Sequence, residues 1–398
     1  MSKVSTGDIQ LVRQMNRAAI LKLVREKSPI SRTALARLSK LTAATAFSIV
    51  DELVGLELVR ERGIGPSQGG RRPMLFEFNP DAFAAVGVDL HTNQTTAMVT
   101  NLDAHPLAKV VHPYRGEIDG TEAVRLISEA VQKAIHISGV PLGKLVGLGV
   151  SVPGLIDVNG GVVIKAVNLG WEEVPLRNPL NKRLDLPVYI IGIANALALG
   201  ETHFGAGRGV ENLLCINVGT GIGSGIVIGG QLYRGPDGTA GEIGHMTVDE
   251  NGPLCRCGNY GCLERLAAGP AIAERAIKGL KQGATSSIRE LVEDRLEEVT
   301  AQVVAEAAKS DDEFARCILA ETGRYLGMGI ANVINLLNPE MVIVGGGVSQ
   351  AGELLFEPLR QAVQRRALKV PAQRARIVPA ALGIEASAIG AATWAMIQ

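Results

Sequence analysis

The chain lacks any uninterrupted apolar stretch of about 18 residues, the length that suggests a membrane-spanning helix. Its N-terminal segment also lacks the apolar core of a secretion signal. We therefore expect a cytoplasmic protein with no membrane partner.

The chain has no net charge overall, but its charges are unevenly distributed. Residues 1–80 carry 13 Lys and Arg against 7 Asp and Glu, a net charge of +6, so the remaining 318 residues carry −6. A basic segment on an acidic body predicts that only the N-terminal part meets a polyanion. The length of 398 residues is too great for one ordinary core and predicts two or three domains.

Cysteine is scarce, yet three of the five cysteines fall within eight residues. In a cytoplasmic chain such clustering favours a metal over a disulfide. The set His245, Cys255, Cys257 and Cys262 offers one imidazole and three thiolates, which satisfy tetrahedral zinc and leave no open coordination position. We therefore predict a structural zinc site. The alternative is three unligated thiols beside a histidine.

The first eighty residues predict three helices followed by two strands. Apolar residues recur at helical spacing in the first and third helices, and Ser31 and Thr42 are suited to cap the second and third. The predicted helices span residues 10–27, 32–39 and 43–54, and the predicted strands span 56–62 and 74–78. This order is typical of a winged helix-turn-helix, whose third helix enters the major groove of DNA.

Candidate DNA-binding residues lie on the second and third helices and in the wing. Short side chains near the start of the third helix allow close approach, with hydroxyls toward phosphate or base and methyls toward thymine. Basic residues of the wing and second helix would contact phosphate or enter a minor groove. The predicted set is Arg32, Thr42, Ala43, Ala44, Thr45, Ser48, Arg71 and Arg72. The alternative is a winged helix used only for protein contacts.

From about residue 84 the chain alternates apolar strands with helices, which predicts an α/β body. Two glycine-rich turns follow strands, at residues 219–225 and 345–347. Such turns let backbone N–H groups approach an anion, although a purely structural turn explains them equally well. The expected domains are a DNA-binding domain over residues 1–80 and an effector domain over residues 84–398.

Together these motifs resemble the ROK family of repressors, open reading frames and kinases. The resemblance rests on the segments GEIGH (241–245), CRCGNYGCLE (255–264), PG (153–154), NLGW (168–171), GTG (219–221) and NPE (338–340). The segment at 245–253 most resembles the xylose-repressor branch of that family. With the N-terminal winged helix, the resemblance covers essentially the whole chain.

The resemblance implies an actin-like, ribonuclease H-like fold of the sugar-kinase type, with a sugar in the cleft between two lobes. The lobes would comprise residues 84–192 with 384–398, and residues 193–383. The zinc loop would position the side chains that contact the sugar. Carried over by position, these are Asn168, Asn195, Glu242, His245 and Glu264. Carboxylates and amides are suited to paired hydrogen bonds with vicinal hydroxyls; the alternative for the two glutamates is surface charge.

Two departures from the kinases of this family bear on activity. Those kinases carry Asp-Ala-Asn where this chain has IAN at 193–195, and Ile193 cannot act as the general base. At the first phosphate loop they carry Asp-x-Gly-Gly-Thr, where this chain has DLHTN at 89–93. Loss of both features predicts a protein that is not an enzyme.

We therefore expect a sugar-responsive transcriptional regulator, a repressor of carbohydrate catabolism genes. A homodimer, or a tetramer built from it, would bind double-stranded operator DNA as two-fold helix-turn-helix proteins do. The sugar effector would bind two states of the body with different affinity, because a ligand without that difference shifts nothing. Two alternatives remain: an ATP-dependent sugar kinase, and a regulator that responds to a protein partner.

Overall fold

The structure is a computed structural model that describes residues 9–66 and 72–398. The chain forms two compact units. The smaller comprises the residues up to Ala84 together with Asn101–Asp103, and the larger comprises Ala85–Thr100 and Ala104–Gln398. Within the described ranges, no helix is long and apolar enough to cross a membrane.

The smaller unit combines three helices with three short strands. Its helices are α1 Ile9–Lys27, α2 Arg32–Ser39 and α3 Ala43–Gly55, and its strands are β1 Ile30–Ser31, β2 Val59–Ile64 and β3 Met74–Phe78. The strands form an antiparallel sheet of order β1-β3-β2. The apolar stripes of the helices meet this sheet in one core that includes Ile20, Leu35, Leu53 and Phe76.

Hydroxyl caps fix the starts of α2 and α3, as predicted. Ser31 Oγ accepts a hydrogen bond from the Ala34 N–H at 3.2 Å, and Thr42 Oγ1 accepts one from the Thr45 N–H at 3.2 Å. Strand β2 begins at Val59, later than the predicted residue 56. Glu57 has a φ of 61°, so the chain turns there before an extended strand can start. Strand β1 was not predicted, because two residues show no period.

The larger unit is an α/β body, as the alternating pattern predicted. Its strands are β4 Ala84–Leu90, β5 Gln94–Asn101, β6 Pro106–Pro113, β7 Leu145–Val152, β8 Leu155–Asp157, β9 Val162–Ala166, β10 Trp171–Pro175, β11 Val188–Gly192, β12 Leu213–Val218, β13 Ile222–Ile228, β14 Gln231–Tyr233, β15 Met341–Gly345 and β16 Arg376–Pro379. Its helices are α4 Gly120–Ser138, α5 Arg177–Leu184, α6 Ile193–Phe204, α7 Leu263–Ala267, α8 Gly269–Lys281, α9 Ile288–Leu291, α10 Ala301–Lys309, α11 Glu313–Leu337, α12 Glu353–Arg366, α13 Lys369–Arg374 and α14 Ala386–Met396.

Two five-stranded sheets organise this body, with orders β11-β7-β4-β5-β6 and β14-β13-β12-β15-β16. Each sheet is mixed: β7 with β11 and β12 with β15 are parallel, whereas β5 with β6 and β12 with β13 are antiparallel. A third sheet, β10-β9-β8, is antiparallel. The parallel strands β7, β12 and β15 are almost continuously apolar, as expected of strands covered on both faces.

Helices α6 and α14 pack against each other between the two sheets, α6 on β12 and β13 and α14 on β7. Backbones approach closely there. A Cβ at Gly149 would lie 1.8 Å from the carbonyl oxygen of Ala391, and a Cβ at Gly390 would lie 1.7 Å from that of Ala196. Any side chain at these positions would force the helices and strands apart.

The glycine segment at 219–225 is shorter as a turn than predicted, because β13 already begins at Ile222. Only residues 219–221 form the turn. A Cβ at Gly225 would lie 2.5 Å from the carbonyl oxygen of Ala194 on α6. That glycine therefore permits close packing of a strand on a helix and is not available to an anion.

Replacing Gly390 with Ala should destabilise the protein by at least about 2 kcal/mol, since the new methyl overlaps the Ala196 carbonyl and two packed helices must separate. Urea unfolding of the two proteins measures this. Gly143→Ala is the control, because a Cβ there meets nothing within 4 Å. Equal stability of both variants would contradict the packing described.

Candidate metal centre and ligand cleft

The structure brings His245, Cys255, Cys257 and Cys262 together. One ligand atom from each lies within 4.8 Å of all the others. Cys257 Sγ is 3.6 Å from Cys262 Sγ, and Cys255 Sγ is 3.8 Å from His245 Nδ1. A disulfide requires about 2.05 Å, whereas zinc–sulfur bonds of about 2.3 Å in a tetrahedron set the sulfurs about 3.8 Å apart. The donor set and spacing therefore fit a tetrahedral metal ion.

The backbone holds these four donors without help from long side chains. His245 ends a short 3₁₀ turn, Ile243–His245, and the loop folds back so that Val248 N–H donates to Gly261 O at 2.9 Å. Gly261 has a φ of +61°, and a Cβ there would lie 1.5 Å from the Asp249 carbonyl oxygen. Only glycine fits this crossing of the loop.

The thiols of the cluster have opposite electrostatic surroundings. A hydrogen bond from the backbone of Asn259 lowers the pKa of Cys257. Burial, together with the neighbouring cysteines, raises the pKa of Cys262 to about 12. Because a buried thiolate is costly without a cation beside it, the buried Cys262 makes sense as a metal ligand.

The zinc-loop residues adjoin the predicted ligand-binding carboxylates. Glu242 Oε2 lies 4.0 Å from His245 Nε2, on the ring nitrogen that does not face Cys255. Burial raises the pKa of Glu242, and the nearby Glu264 raises it further while His245 lowers it. At 4.0 Å this carboxylate attracts the imidazole electrostatically without a hydrogen bond.

Glu264 and Asn168 meet at the glycine turn. Glu264 Oε2 accepts a hydrogen bond from Ile222 N–H at 2.9 Å. A Cβ built at Gly221 would lie 2.6 Å from that oxygen and 3.5 Å from Asn168 Nδ2. Four of the five predicted sugar contacts, Asn168, Glu242, His245 and Glu264, are therefore gathered around the zinc loop and the turn at 219–221.

Arg256 contacts one of the predicted sugar-binding residues, and the sequence reasoning did not predict this contact. Its Nη1 donates to Asn168 Oδ1 at 3.2 Å. Because Arg256 stands between two cysteines of the cluster, its backbone position is set by the loop. The sequence signal that could have indicated Arg256 is its position between two of the predicted metal-binding cysteines.

Asn195 and Ile193 occupy the first turn of α6, directly after β11. Asn195 Oδ1 is buried and has no hydrogen-bond partner among the described residues. A buried acceptor without a partner is costly and is explained by a donor from a ligand or water. Ile193 is half-buried and has no titratable atom, so it cannot remove a proton from a bound hydroxyl.

In the loop at residues 89–93, the imidazole of His91 contacts the buried carboxylate of Asp89. Asp89, only 2% exposed, has His91 Nε2 at 2.8 Å from Oδ2 and accepts a hydrogen bond from Ser151 Oγ at 3.1 Å on Oδ1. The Tyr114 hydroxyl donates to the carbonyl oxygen of His91. The negative charge of Asp89 raises the pKa of His91 against the opposing effect of burial. Both oxygens of Asp89 are thus already engaged.

The sequence and the fold are similar to those of known proteins. The ROK family model matches residues 85–397. The xylose repressor of Caldicellulosiruptor bescii is 36% identical over 360 residues, 90% of each chain. A glucokinase of Halalkalibacterium halodurans is 41% identical over 265 residues, 66% of this chain and 80% of that protein. A crystal structure of a ROK family transcriptional regulator, a homologue of the Escherichia coli Mlc protein, superimposes with a TM-score of 0.83 at 28% identity, covering 97% of this chain and 96% of that one.

The chain belongs to the ROK family. The family resemblance predicted from the sequence is thereby confirmed. The family match begins at residue 85, so residues 1–84 lie outside it. Relatives of both kinds, named repressors and a named kinase, share the body.

In the smaller unit of this ROK protein, the predicted DNA-binding residues at the cap and start of α3 lie on its exposed surface. This surface, the α3 face, consists of Thr42, Ala43, Ala44, Thr45 and Ser48, all of which are exposed. The buried residues of the same helix, including Ile49 and Leu53, face the core.

The predicted basic residues differ among themselves. Arg32 is engaged within the unit: its Nη2 lies 2.6 Å from Asp51 Oδ1, and its guanidinium stacks 4.8 Å from the Phe76 ring centroid. Arg72 is exposed. Arg71 lies outside the described residues.

Replacing Cys257 with Ser should lower the metal content of the ROK protein and destabilise the body, because a weaker ligand replaces a thiolate. Elemental analysis of the purified variant and thermal unfolding measure both effects. Cys317→Ser is the matched control, since Cys317 is an exposed thiol outside the cluster. An unchanged metal content in the Cys257 variant would refute the site.

His91 should make stability depend on pH. Its folded pKa is raised above 6.5, so the stability from its pairing with Asp89 is fully present below about pH 6.5 and is lost as pH rises through the folded pKa. The stability difference between wild type and His91→Gln should therefore shrink with rising pH. Ser151→Ala, which keeps the pair, should retain the wild-type profile. A His91 pKa at or below 6.5 by NMR titration would contradict this.

Proposed function

We propose that this ROK protein is a transcriptional repressor that binds operator DNA through residues 1–80 and a sugar through residues 84–398. The α3 face carries the proposal. Three helices, of which α2 and α3 have capped starts, followed by antiparallel strands, are the elements of a winged helix-turn-helix. The α3 face offers only short side chains, two threonines, a serine and two alanines, which admit the helix deep into a major groove.

Charge supports the same assignment. Residues 1–80 carry a net charge of +6 on a chain whose total is zero, so attraction to a polyanion is concentrated there. Within this set Arg72 is the better phosphate contact. Arg32, which is held by Asp51 and Phe76, would have to give up those contacts.

The body supports recognition without phosphoryl transfer. Asn168, Glu242, His245 and Glu264 supply hydrogen-bond acceptors and donors suited to the hydroxyls of a monosaccharide, and the unpartnered Asn195 Oδ1 gives a further acceptor. The position of the general base is Ile193, and His91 fills the first loop that in kinases approaches phosphate. In this proposal zinc is held by His245, Cys255, Cys257 and Cys262, has a structural role and keeps the ligand-contacting loop in shape.

The regulatory step follows from two-state binding. A homodimer presents two α3 faces to successive major grooves, roughly 34 Å apart on B-form DNA. The two lobes, residues 84–192 with 384–398 and residues 193–383, close around the sugar. The sugar binds the closed arrangement more tightly, and that difference in affinity sets how far DNA binding can change. The name of the Caldicellulosiruptor relative makes D-xylose the first sugar to test.

The decisive variant is Thr45→Glu. Thr45 lies three residues after the Thr42 cap, so a glutamate there completes a capping box and keeps α3 stable while placing a negative charge on the α3 face. Binding to a duplex selected from random sequences should weaken by about 100-fold, measured by fluorescence anisotropy. Thr121→Glu, on the exposed first turn of α4, is the matched control and should bind like wild type.

A second arm of the experiment separates sensor from enzyme. D-xylose should change the affinity for the selected duplex, while coupled ADP-release assays across a sugar panel should show no turnover. Sugar-dependent ADP release without sequence-selective DNA binding would overturn the proposal. Unaltered DNA affinity of Thr45→Glu would remove the α3 face from it.

A further inference from the structure

A basic groove lies on the body, and none of the described residues assigned to sugar, metal or DNA lines it. Helices α11 and α12 pack closely, since a Cβ at Gly323 would lie 2.5 Å from the Leu355 carbonyl oxygen and one at Gly327 2.5 Å from that of Leu359. Beside this contact a groove of about 760 Å³ opens. Its volume lies within the range of small-molecule sites. We call it the α11–α12 groove.

Three arginines line the α11–α12 groove: Arg324 from α11, and Arg365 and Arg366 from the last turn of α12. All three are exposed, and none of them forms an ion pair with any residue that the structure describes. Like charges gathered around one cavity repel each other, so this arrangement lacks the usual compensation of a structural arginine.

The carboxylate that lines the groove, Glu321, already faces an arginine outside it. Its Oε1 lies 3.8 Å from Nη1 of Arg275. Arg365 also borders a neighbouring depression that contains Glu357 and Arg360. There Arg360 pairs with Glu353 at 2.8 Å, and Glu357 accepts a hydrogen bond from Gln361. The positive charges of the three guanidinium groups in the groove are therefore not balanced by ion pairs with these acidic residues.

The surrounding sequence strengthens the local charge. Residues 358–384 carry six Arg and Lys and no Asp or Glu, within a body whose residues 81–398 sum to −6. Arg365 and Arg366 also stand where a helix dipole favours cations, which by itself gives them a structural reason. That reason does not extend to Arg324, which lies in the middle of α11.

The groove has an apolar wall as well as a charged one. Met328, Pro358 and the ring of Tyr325 line it. Burial raises the pKa of Tyr325, so its hydroxyl stays protonated and can donate. Glu321 and Asp249 raise that pKa further, and Asp249 belongs to the loop that carries the cysteines. The site thus offers guanidinium donors for a compact dianion, a neutral hydroxyl, and carbon surface for an organic skeleton.

We propose that the α11–α12 groove binds a phosphate monoester of a small organic molecule. A phosphate monoester is close to a dianion at neutral pH, and arginine forks match its oxygens in bidentate pairs. The phosphate contacts Arg324 and Arg365, Arg366 adds long-range attraction, and the organic part rests on Met328 and Pro358. This site is separate from the sugar cleft and does not depend on the regulator assignment.

Calorimetry with inorganic phosphate, glucose 6-phosphate and glucose tests the groove on the full-length protein. At about 50 mM salt, both phosphates should bind with a Kd on the order of 0.1 mM, and binding should weaken as salt rises. The double variant Arg324→Gln/Arg365→Gln should bind both phosphates at least about tenfold more weakly. Its side chains are exposed, so folding is preserved, which circular dichroism checks.

Two controls locate the effect. Arg374→Gln removes an exposed arginine outside the groove and should leave phosphate binding unchanged. Asn195→Ala alters the sugar cleft and should leave the binding of inorganic phosphate, which has no sugar part, unchanged, so failure of the cleft assignment is distinguishable from failure of the groove. Any heat from glucose should be the same in wild type and in the double variant.

Three results would overturn the proposal: no heat from either phosphate, equal binding by wild type and the double variant, or equal loss in Arg374→Gln. A polyglutamate peptide provides the competing class of ligand. If it binds more tightly than glucose 6-phosphate and the double variant abolishes that binding, the groove serves an acidic protein segment instead.

Discussion

The mutual placement of three sulfurs and one imidazole is the constraint on which the ligand cleft depends. His245 and the three cysteines lie within 4.8 Å of one another, and four of the five residues predicted to contact the sugar belong to this cluster or adjoin it. Glu242 precedes the histidine, Glu264 follows the last cysteine in α7, and Arg256 between two cysteines reaches Asn168 at 3.2 Å. A loop of this length with so many glycines has no hydrophobic core of its own, so a metal ion bound by these four donors would hold it in one shape.

The proposed ligand cleft combines polar groups suited to recognition with a residue that cannot act as a base. Its capacity for polar recognition is retained in carboxylates, amides and an unpartnered buried oxygen, while the position for proton removal is an isoleucine. In the loop at residues 89–93, the carboxylate of Asp89 already has two partners, because His91 and Ser151 each contact one of its oxygens. At residue 193 the side chain has no titratable atom, and at residues 89–93 both carboxylate oxygens of Asp89 already have partners. The glucokinase relative, at 41% identity over 66% of this chain, shows that a protein with a named kinase activity shares this body.

Sequence reasoning succeeded where a local rule determines local geometry. The hydroxyl caps at Ser31 and Thr42, the alternation of strands and helices, and the grouping of His245 with the cysteines all follow from short-range chemistry. It could not choose between alternatives where tertiary packing decides. For the glycines at 219–225 the sequence left an anion-binding turn and a purely structural turn equally open, and the packing shows that Gly225 lets β13 approach α6. The pairing of His91 with Asp89 and the reach of Arg256 to Asn168 depend on contacts that no spacing in the sequence reveals.

X-ray absorption spectroscopy of the purified full-length protein at the zinc edge tests the central claim most directly. The account predicts one zinc per chain with three sulfur neighbours at about 2.3 Å and one nitrogen neighbour at about 2.0–2.1 Å. Because all four positions are taken by protein ligands, the spectrum should not change when a sugar is added. A protein without zinc, or zinc with a shell dominated by oxygen, would contradict the account that this loop is shaped by a four-ligand metal centre.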